Sequence, residues 1–161
     1  MDTLKIDKSK AKRLYKTAST ELKEMLEDTF GKEFFSENII DKIKTFKDAI
    51  DSLPKDDLDV VSYYEMCNAH ITSKHATSYI KIVIIIKALN EGWSPNWNDS
   101  NEAKYYPWFS FVSGFGFSNS DYDCTNANAD VGSRLCFKSR ELSDYAGKQF
   151  QSIYNNYLNF N

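Results

Sequence analysis

The stretch KYYPWFSFVSGFGFS (residues 104–118) separates a mixed fold from an all-helical one. Tyr105 to Val112 and Phe115 to Ser118 are rich in aromatic residues, which favour a pleated, half-buried surface. Ser113-Gly114 lies between them with the chemistry of a tight turn, so the spacing predicts a hairpin. Asn119 to Asp130 is polar and reads as a loop, and Arg134 to Lys138 reads as a third strand. Ser139 is a good N-cap for a closing helix whose stripe is Leu142, Tyr145, Ala146, Phe150, Ile153, Tyr154, Tyr157 and Leu158. Tyr145, Phe150, Ile153 and Tyr157 are expected to face the sheet. Glu141 and Asp144 fall in the first turns, where the helix dipole favours negative charge. Gly147 costs this helix about 1 kcal/mol of propensity, which a close approach to the sheet would offset.

Upstream of the hairpin, Pro95, Asn96, Asn98, Asp99, Ser100 and Asn101 form a polar loop. Tyr79 to Leu89 is rich in Ile and Val and could be a strand. Its length, with no turn residue between Ser73 and Asn90, predicts a buried helix ending at Gly92. Ile39 to Leu53 has helical spacing, and Thr45 with Asp48 resembles a capping box, so two short helices should meet near Lys44. Pro54 stops that segment, and Lys55 to Asp59 reads as a charged loop. Ala11, Leu14, Tyr15, Ala18, Leu22, Met25, Leu26 and Phe30 form one stripe of a helix from about Lys8 to Thr29, with Gly31 as its left-handed cap. The expected fold class is α+β: N-terminal helices, a three-stranded antiparallel sheet in the C-terminal half, and a C-terminal helix packed on that sheet. The expected organisation is a single domain over 1–161, with a helical part at 1–53 and a helix, sheet and helix over 73–161.

A chain of 161 residues can bury one self-sufficient core. A net charge of −3 fits neither a polyanion mimic nor a strongly basic nucleic-acid binder. Cys67, Cys124 and Cys136 are odd in number and widely spaced, as expected in a reducing compartment and not in a disulfide framework. Met1 to Lys16 has no apolar run of the signal-peptide kind, and Ile82 to Ile86 is far too short to cross a bilayer. The expected location is the cytoplasm, with no membrane partner.

The segments ALNEGW (88–93), PNW (95–97), KYYPWF (104–109), SGFGFS (113–118), VGSRLCFKS (131–139) and YAG (145–147), with a looser match at TFKDA (45–49), resemble uncharacterised small proteins encoded by bacteriophages and prophages of intestinal bacteria. The resemblance covers about the last half of the chain. It implies a phage setting, hence the cytoplasm of a bacterial host, and assigns no residue a role.

Candidate sites follow from residue chemistry. Cys67, His70 and His75 could begin a metal site, but structural zinc needs four ligands in two close pairs and the fourth is missing, so no metal is expected. Asp121, Asp123 and Thr125 have the spacing of a calcium loop. Asn126 and Gly132 stand where that loop needs Gly and Glu. GFGF (114–117) resembles an RNA-stacking signature but lacks a preceding basic residue and the βαββαβ order. No nucleophile-and-base pairing and no phosphate-binding loop can be inferred, so no enzyme, cofactor or small-molecule substrate is expected. Trp93, Trp97, Tyr105, Tyr106, Trp108 and Phe109 are the candidate partner-binding residues, because Trp and Tyr dominate interface hot spots; the competing reading is that they fill the core.

The leading expectation is a non-enzymatic phage accessory protein that binds another protein. Within that class lies an inhibitor of a host defence system, such as an anti-CRISPR protein. The alternative is a nucleic-acid module using Lys8, Lys10, Lys12 and Arg13 or the aromatic sheet face, and a third reading is a virion or replication component.

Overall fold

A computed structural model describes residues 8–35, 38–126 and 135–159. The chain packs as two compact units, Met1–Asn38 and Ile39–Asn161.

In the first unit the helix expected over Lys8–Thr29 is broken in two: α1 (Lys8–Thr17) and α2 (Thr20–Phe30). Ser19 causes the break. Its backbone is extended and its hydroxyl accepts from the Leu22 N–H, so it starts a new helix where an uninterrupted one would leave that oxygen idle. Gly31 has φ 84° and ψ 145°, so the expected left-handed cap is replaced by a more extended positive-φ turn leading into α3 (Lys32–Phe35). The chain folds back there, and Ala11, Leu26 and Phe35 are buried with Leu14, Tyr15, Leu22, Phe30 and Phe34 around them. Tyr15 stacks on Phe35 at 4.3 Å. Met25, expected on this stripe, is 60% exposed: the packed row of α2 is Leu22, Leu26 and Phe30, an i, i+4 line that leaves Met25 beside it.

The second unit begins with α4 (Ile39–Lys42) and α5 (Phe46–Asp51). Thr45 and Asp48 form the capping box between them: the Thr45 hydroxyl accepts from the Asp48 N–H, and the Asp48 carboxylate accepts from the Thr45 N–H at 2.7 Å. α6 (Leu58–Asn68) starts inside the segment read as a loop. Asp57 is responsible, accepting from the N–H groups of Asp59 and Val60. α7 (Lys74–Asn90) is capped by Ser73 and is the helix expected from Tyr79 to Leu89. Ile82, Val83, Ile84, Ile85 and Ile86 are all buried in succession. A helix apolar on every side belongs in an interior, and α5, α6, α8 and α9 cover this one. Here packing on all sides outweighs the strand preference of the residues.

The hairpin follows as β1 (Lys104–Ser110) and β2 (Gly116–Asp123), antiparallel, with a register shift between Trp108 and Phe109. Gly114 turns the chain at φ 104°. The third strand expected at Arg134 to Lys138 does not form. Arg134 lies outside the described residues, and the rest contributes one isolated bridge, Phe137 with Tyr105. Asn90, at the end of α7, claims the neighbouring backbone: its amide donates to the Cys136 carbonyl at 2.9 Å and accepts from the Lys138 N–H at 3.1 Å.

The closing helix is also divided, at Phe150, into α8 (Arg140–Gln149) and α9 (Gln151–Leu158). α8 lies on both strands of the hairpin, while α9 lies along α7. The division redistributes the expected stripe. Tyr154, not Tyr157, meets the hairpin, with its ring 4.8 Å from Phe109. Tyr157 stacks on His75 of α7 at 5.0 Å, and the Tyr145 hydroxyl donates to the Ile43 carbonyl at 2.6 Å. Among the described residues no helix is long and apolar enough to cross a membrane.

Candidate functional site

The packing of α8 on one face of the hairpin sorts the aromatic residues of β1. Tyr105 exchanges both main-chain hydrogen bonds with Phe137, at 3.0 and 2.7 Å, on the side away from β2. Side chains alternate along a strand, so Tyr105, Pro107 and Phe109 share one face and Tyr106 and Trp108 share the other. The first face is the packed one. Phe109 stacks on Phe115 at 4.9 Å and meets Tyr154, and Pro107 lies beside Gly147 of α8. On the second face Tyr106 and Trp108 have ring centroids 6.3 Å apart, opposite Asp121 and Asn119 of β2. Burial raises the Tyr106 phenol above its usual range, and Asp121 and Asp123 add to the effect.

Trp108 is 50% exposed, and at the hairpin tip Phe111 is 53% and Val112 is 94% exposed. The six aromatics singled out from the sequence therefore part company. Trp108 is displayed with half-buried Tyr106 beside it, while Tyr105 and Phe109 pack against the core. Trp93 and Trp97 belong to the loop after α7. Lys104 holds that loop: its ammonium, 1% exposed, lies 3.2 Å from the Glu102 carboxylate. It donates to the carbonyls of Asn96, Asp99 and Cys124 and sits 5.4 Å from the Trp97 ring centre. Phe111 and Val112 were missed as site residues. Their place beside the Ser113-Gly114 turn was the available signal, because tips of hairpins project from the fold.

The outer edges of the hairpin are occupied or blunted, beginning with the bonds of Tyr105 to Phe137. Pro107, two residues after Tyr105, falls on the outward side of β1 and has no N–H to offer. On the outward side of β2, Gln151 accepts from the Phe117 N–H at 3.3 Å and donates to the Phe115 carbonyl at 3.2 Å. The Arg140 guanidinium donates to the Ser120 carbonyl, and the Tyr122 N–H donates to the Asp121 carboxylate at 2.9 Å.

The other candidates are placed as follows. Lys8, Lys10, Lys12 and Arg13 all lie in α1, and Lys12 sits 5.3 Å from the Phe34 ring centre. Phe115 and Phe117 of GFGF pack on Phe109 and α8 in place of forming an open stacking platform. Cys67 lies in the last turn of α6, His70 stands two residues beyond that helix at φ 53°, and the His75 Nδ1 lies 2.7 Å from the Tyr157 carbonyl. Among the described residues no three His, Cys, Asp or Glu side chains converge to hold a metal ion. Asp123 accepts from the N–H groups of Cys124 and Asn126, a turn closed on its own backbone; Gly132 lies outside the described residues. Burial pushes the Cys136 thiol up to about 11, so it stays protonated at neutral pH and is a poor nucleophile. Comparison with known family models, curated proteins and solved structures finds no match.

Proposed function

We propose that the protein is a non-enzymatic binding protein, and that it grips a protein partner with Tyr106, Trp108, Phe111 and Val112 of the β1–β2 hairpin. The observation that carries this reading is the exposure of Trp108, Phe111 and Val112 on one projecting element. Large apolar groups in contact with water are the usual core of an interface, with polar residues such as Asn119 and Asp121 as its rim. The occupied strand edges favour side-chain contacts over strand addition. The resemblance to phage and prophage proteins supplies the setting: an accessory protein acting on a host component, including an inhibitor of a defence system of the anti-CRISPR kind.

The test is affinity capture from infected cells with wild-type protein, with Trp108→Ala, and with Lys10, Lys12 and Arg13 neutralised together. A protein partner lost with Trp108→Ala, at a cost of about 2 kcal/mol or more, and kept at physiological salt supports the reading. Steeply salt-sensitive binding to DNA or RNA, lost only in the neutralised variant, would replace it with the nucleic-acid reading.

A further inference from the structure

The open face of the β1–β2 hairpin has a sign of charge as well as a shape. Residues directly opposite one another on paired strands share a face, so Asn119, Asp121 and Asp123 of β2 stand with Trp108, Tyr106 and Lys104 of β1. Asn119 and Asp121 are exposed. The Asp121 carboxylate accepts from the Tyr122 N–H at 2.9 Å, and among the described residues no lysine or arginine pairs with it. Asp123 accepts from the Asn126 and Cys124 N–H groups, and these bonds, that of Asn126 foremost, hold its carboxyl below the usual range. Both carboxylates act on the half-buried Tyr106 phenol beside them.

The cations near the hairpin are placed elsewhere. Lys104 is buried, with its ammonium enclosed by Glu102 and the carbonyls of Asn96, Asp99 and Cys124. Arg140 lies 5.4 Å from the Tyr105 ring centre and Lys148 5.3 Å from that of Phe117, and both rings belong to the face that α8 covers. Solvent on the open side thus meets an indole and two carboxylates, with no exposed positive side chain from either strand. A nucleic-acid phosphate would meet like charge there. Trp108 and Asp121 are diagonal neighbours across the ladder, about 7–8 Å apart, a separation that long side chains reach across. A guanidinium suits that pair: it stacks flat on an aromatic face and donates a fork of bonds to a carboxylate, whereas an ammonium is a strongly hydrated point charge.

We propose that the partner is a protein with a basic segment, and that it lays an arginine on this face, the guanidinium stacked on Trp108 and paired with Asp121. The proposal rests on the hairpin interface and adds the chemistry of what that interface grips. Asn119, opposite Trp108, is left to bond the backbone of the same segment.

The experiment is titration of the full chain with three end-capped peptides of one length, Gly-Arg-Gly-Arg-Gly and its lysine and glutamate counterparts, followed by the indole N–H resonance of Trp108. Trp108→Phe assigns that resonance. The arginine peptide is expected to shift it saturably at millimolar concentration and to bind about threefold or more tighter than the lysine peptide, with no saturation by the glutamate peptide. Asp121→Asn retains an oxygen for the Tyr122 N–H and should weaken the arginine peptide about threefold or more. No saturable shift with the arginine peptide would overturn the proposal. So would an equal response to the lysine or glutamate peptide, or unchanged affinity in Asp121→Asn. Capture from infected cells separates this proposal from the interface itself. A partner lost with Trp108→Ala but held equally by Asp121→Asn would keep the interface and overturn the arginine, and a partner held equally by Trp108→Ala would overturn both.

Discussion

Phe117 occupies the space that a side chain at position 147 would need. A methyl group added at Gly147 would lie 2.3 Å from Phe117 Cδ2 and 3.1 Å from Pro107 Cβ, well inside van der Waals contact. The glycine lets α8 press onto both strands at once. Gly147→Ala gains about 1 kcal/mol of helix propensity and loses about 1–3 kcal/mol to overpacking. We expect a net loss in the urea midpoint, relieved when Phe117→Leu is added. A more stable Gly147→Ala protein would show that the ring moves aside freely.

Lys104→Met is expected to cost about 3–5 kcal/mol, because it strands three carbonyls and a carboxylate around a buried hole. The loop that carries Trp93 and Trp97 should loosen with it, which tryptophan fluorescence would report as a red shift in the folded protein. An unchanged denaturation midpoint together with an unchanged emission maximum would contradict the role assigned to this ammonium.

The link between α6 and α7 should make stability depend on pH at both ends. Burial raises the Asp57 carboxyl, but bonds from Lys87 and from the Asp59 and Val60 N–H groups outweigh it and leave it below its usual value. A depressed carboxyl stabilises the fold above the unfolded value, about 3.9, and that contribution is lost as pH falls through the folded value. Burial lowers the Lys87 ammonium, yet Asp57 and Asp59 more than compensate and hold it above its usual value. Its contribution is complete below about 10.4 and disappears as pH rises through the folded value. Urea midpoints across pH should show both limbs. Asp57→Asn should flatten the acid limb in part, since Asp48, bonded by Thr45, and Glu102, bonded by the Asn96 N–H, are depressed too. An acid limb identical to wild type would show that this pair does not couple folding to protons.

Two aromatic truncations should behave in opposite ways. Phe150→Ala, at the buried junction of α8 and α9, is expected to cost about 3–5 kcal/mol. Trp108→Ala, on the open face of β1, is expected to change the midpoint by less than about 0.5 kcal/mol while removing partner binding. A large loss of stability in Trp108→Ala would make that residue a packing element and empty the interface of its centre.

Much of this arrangement was legible from local chemistry. The Thr45–Asp48 box, the hairpin turn and the need for Gly147 each depend on residues within a turn or two of one another, or on a single steric fact. The misreadings have a common cause. β2 runs through NSDYD (119–123), polar residues that read as loop, because its ladder with β1 overrides their weak strand preference. The third strand stays a single bridge because Pro107, the next outward residue of β1, has no N–H for another rung and Ser139, just after Lys138, already starts α8. Alternation along β1 divides the aromatics into two sets, but only the packing of α8 against Pro107 and Phe117 decides which set faces out. Lys104, at the junction of the polar loop and the aromatic run, carries no local sign that it organises the loop before it.

The blunted edges of the hairpin bear on how the chain can coexist with its own copies. Tyr105 to Val112 is an apolar, aromatic segment of the kind that stacks into cross-β fibrils when its backbone is free to recruit an identical strand. Pro107 removes the donor such recruitment would use, and Arg140 and Gln151 occupy acceptors and a donor on the opposite margin. The aromatic face is thus uncoupled from self-assembly. Substitutions can enlarge or reshape it toward a new target without turning the chain into a seed for its own aggregation, so long as those three residues remain.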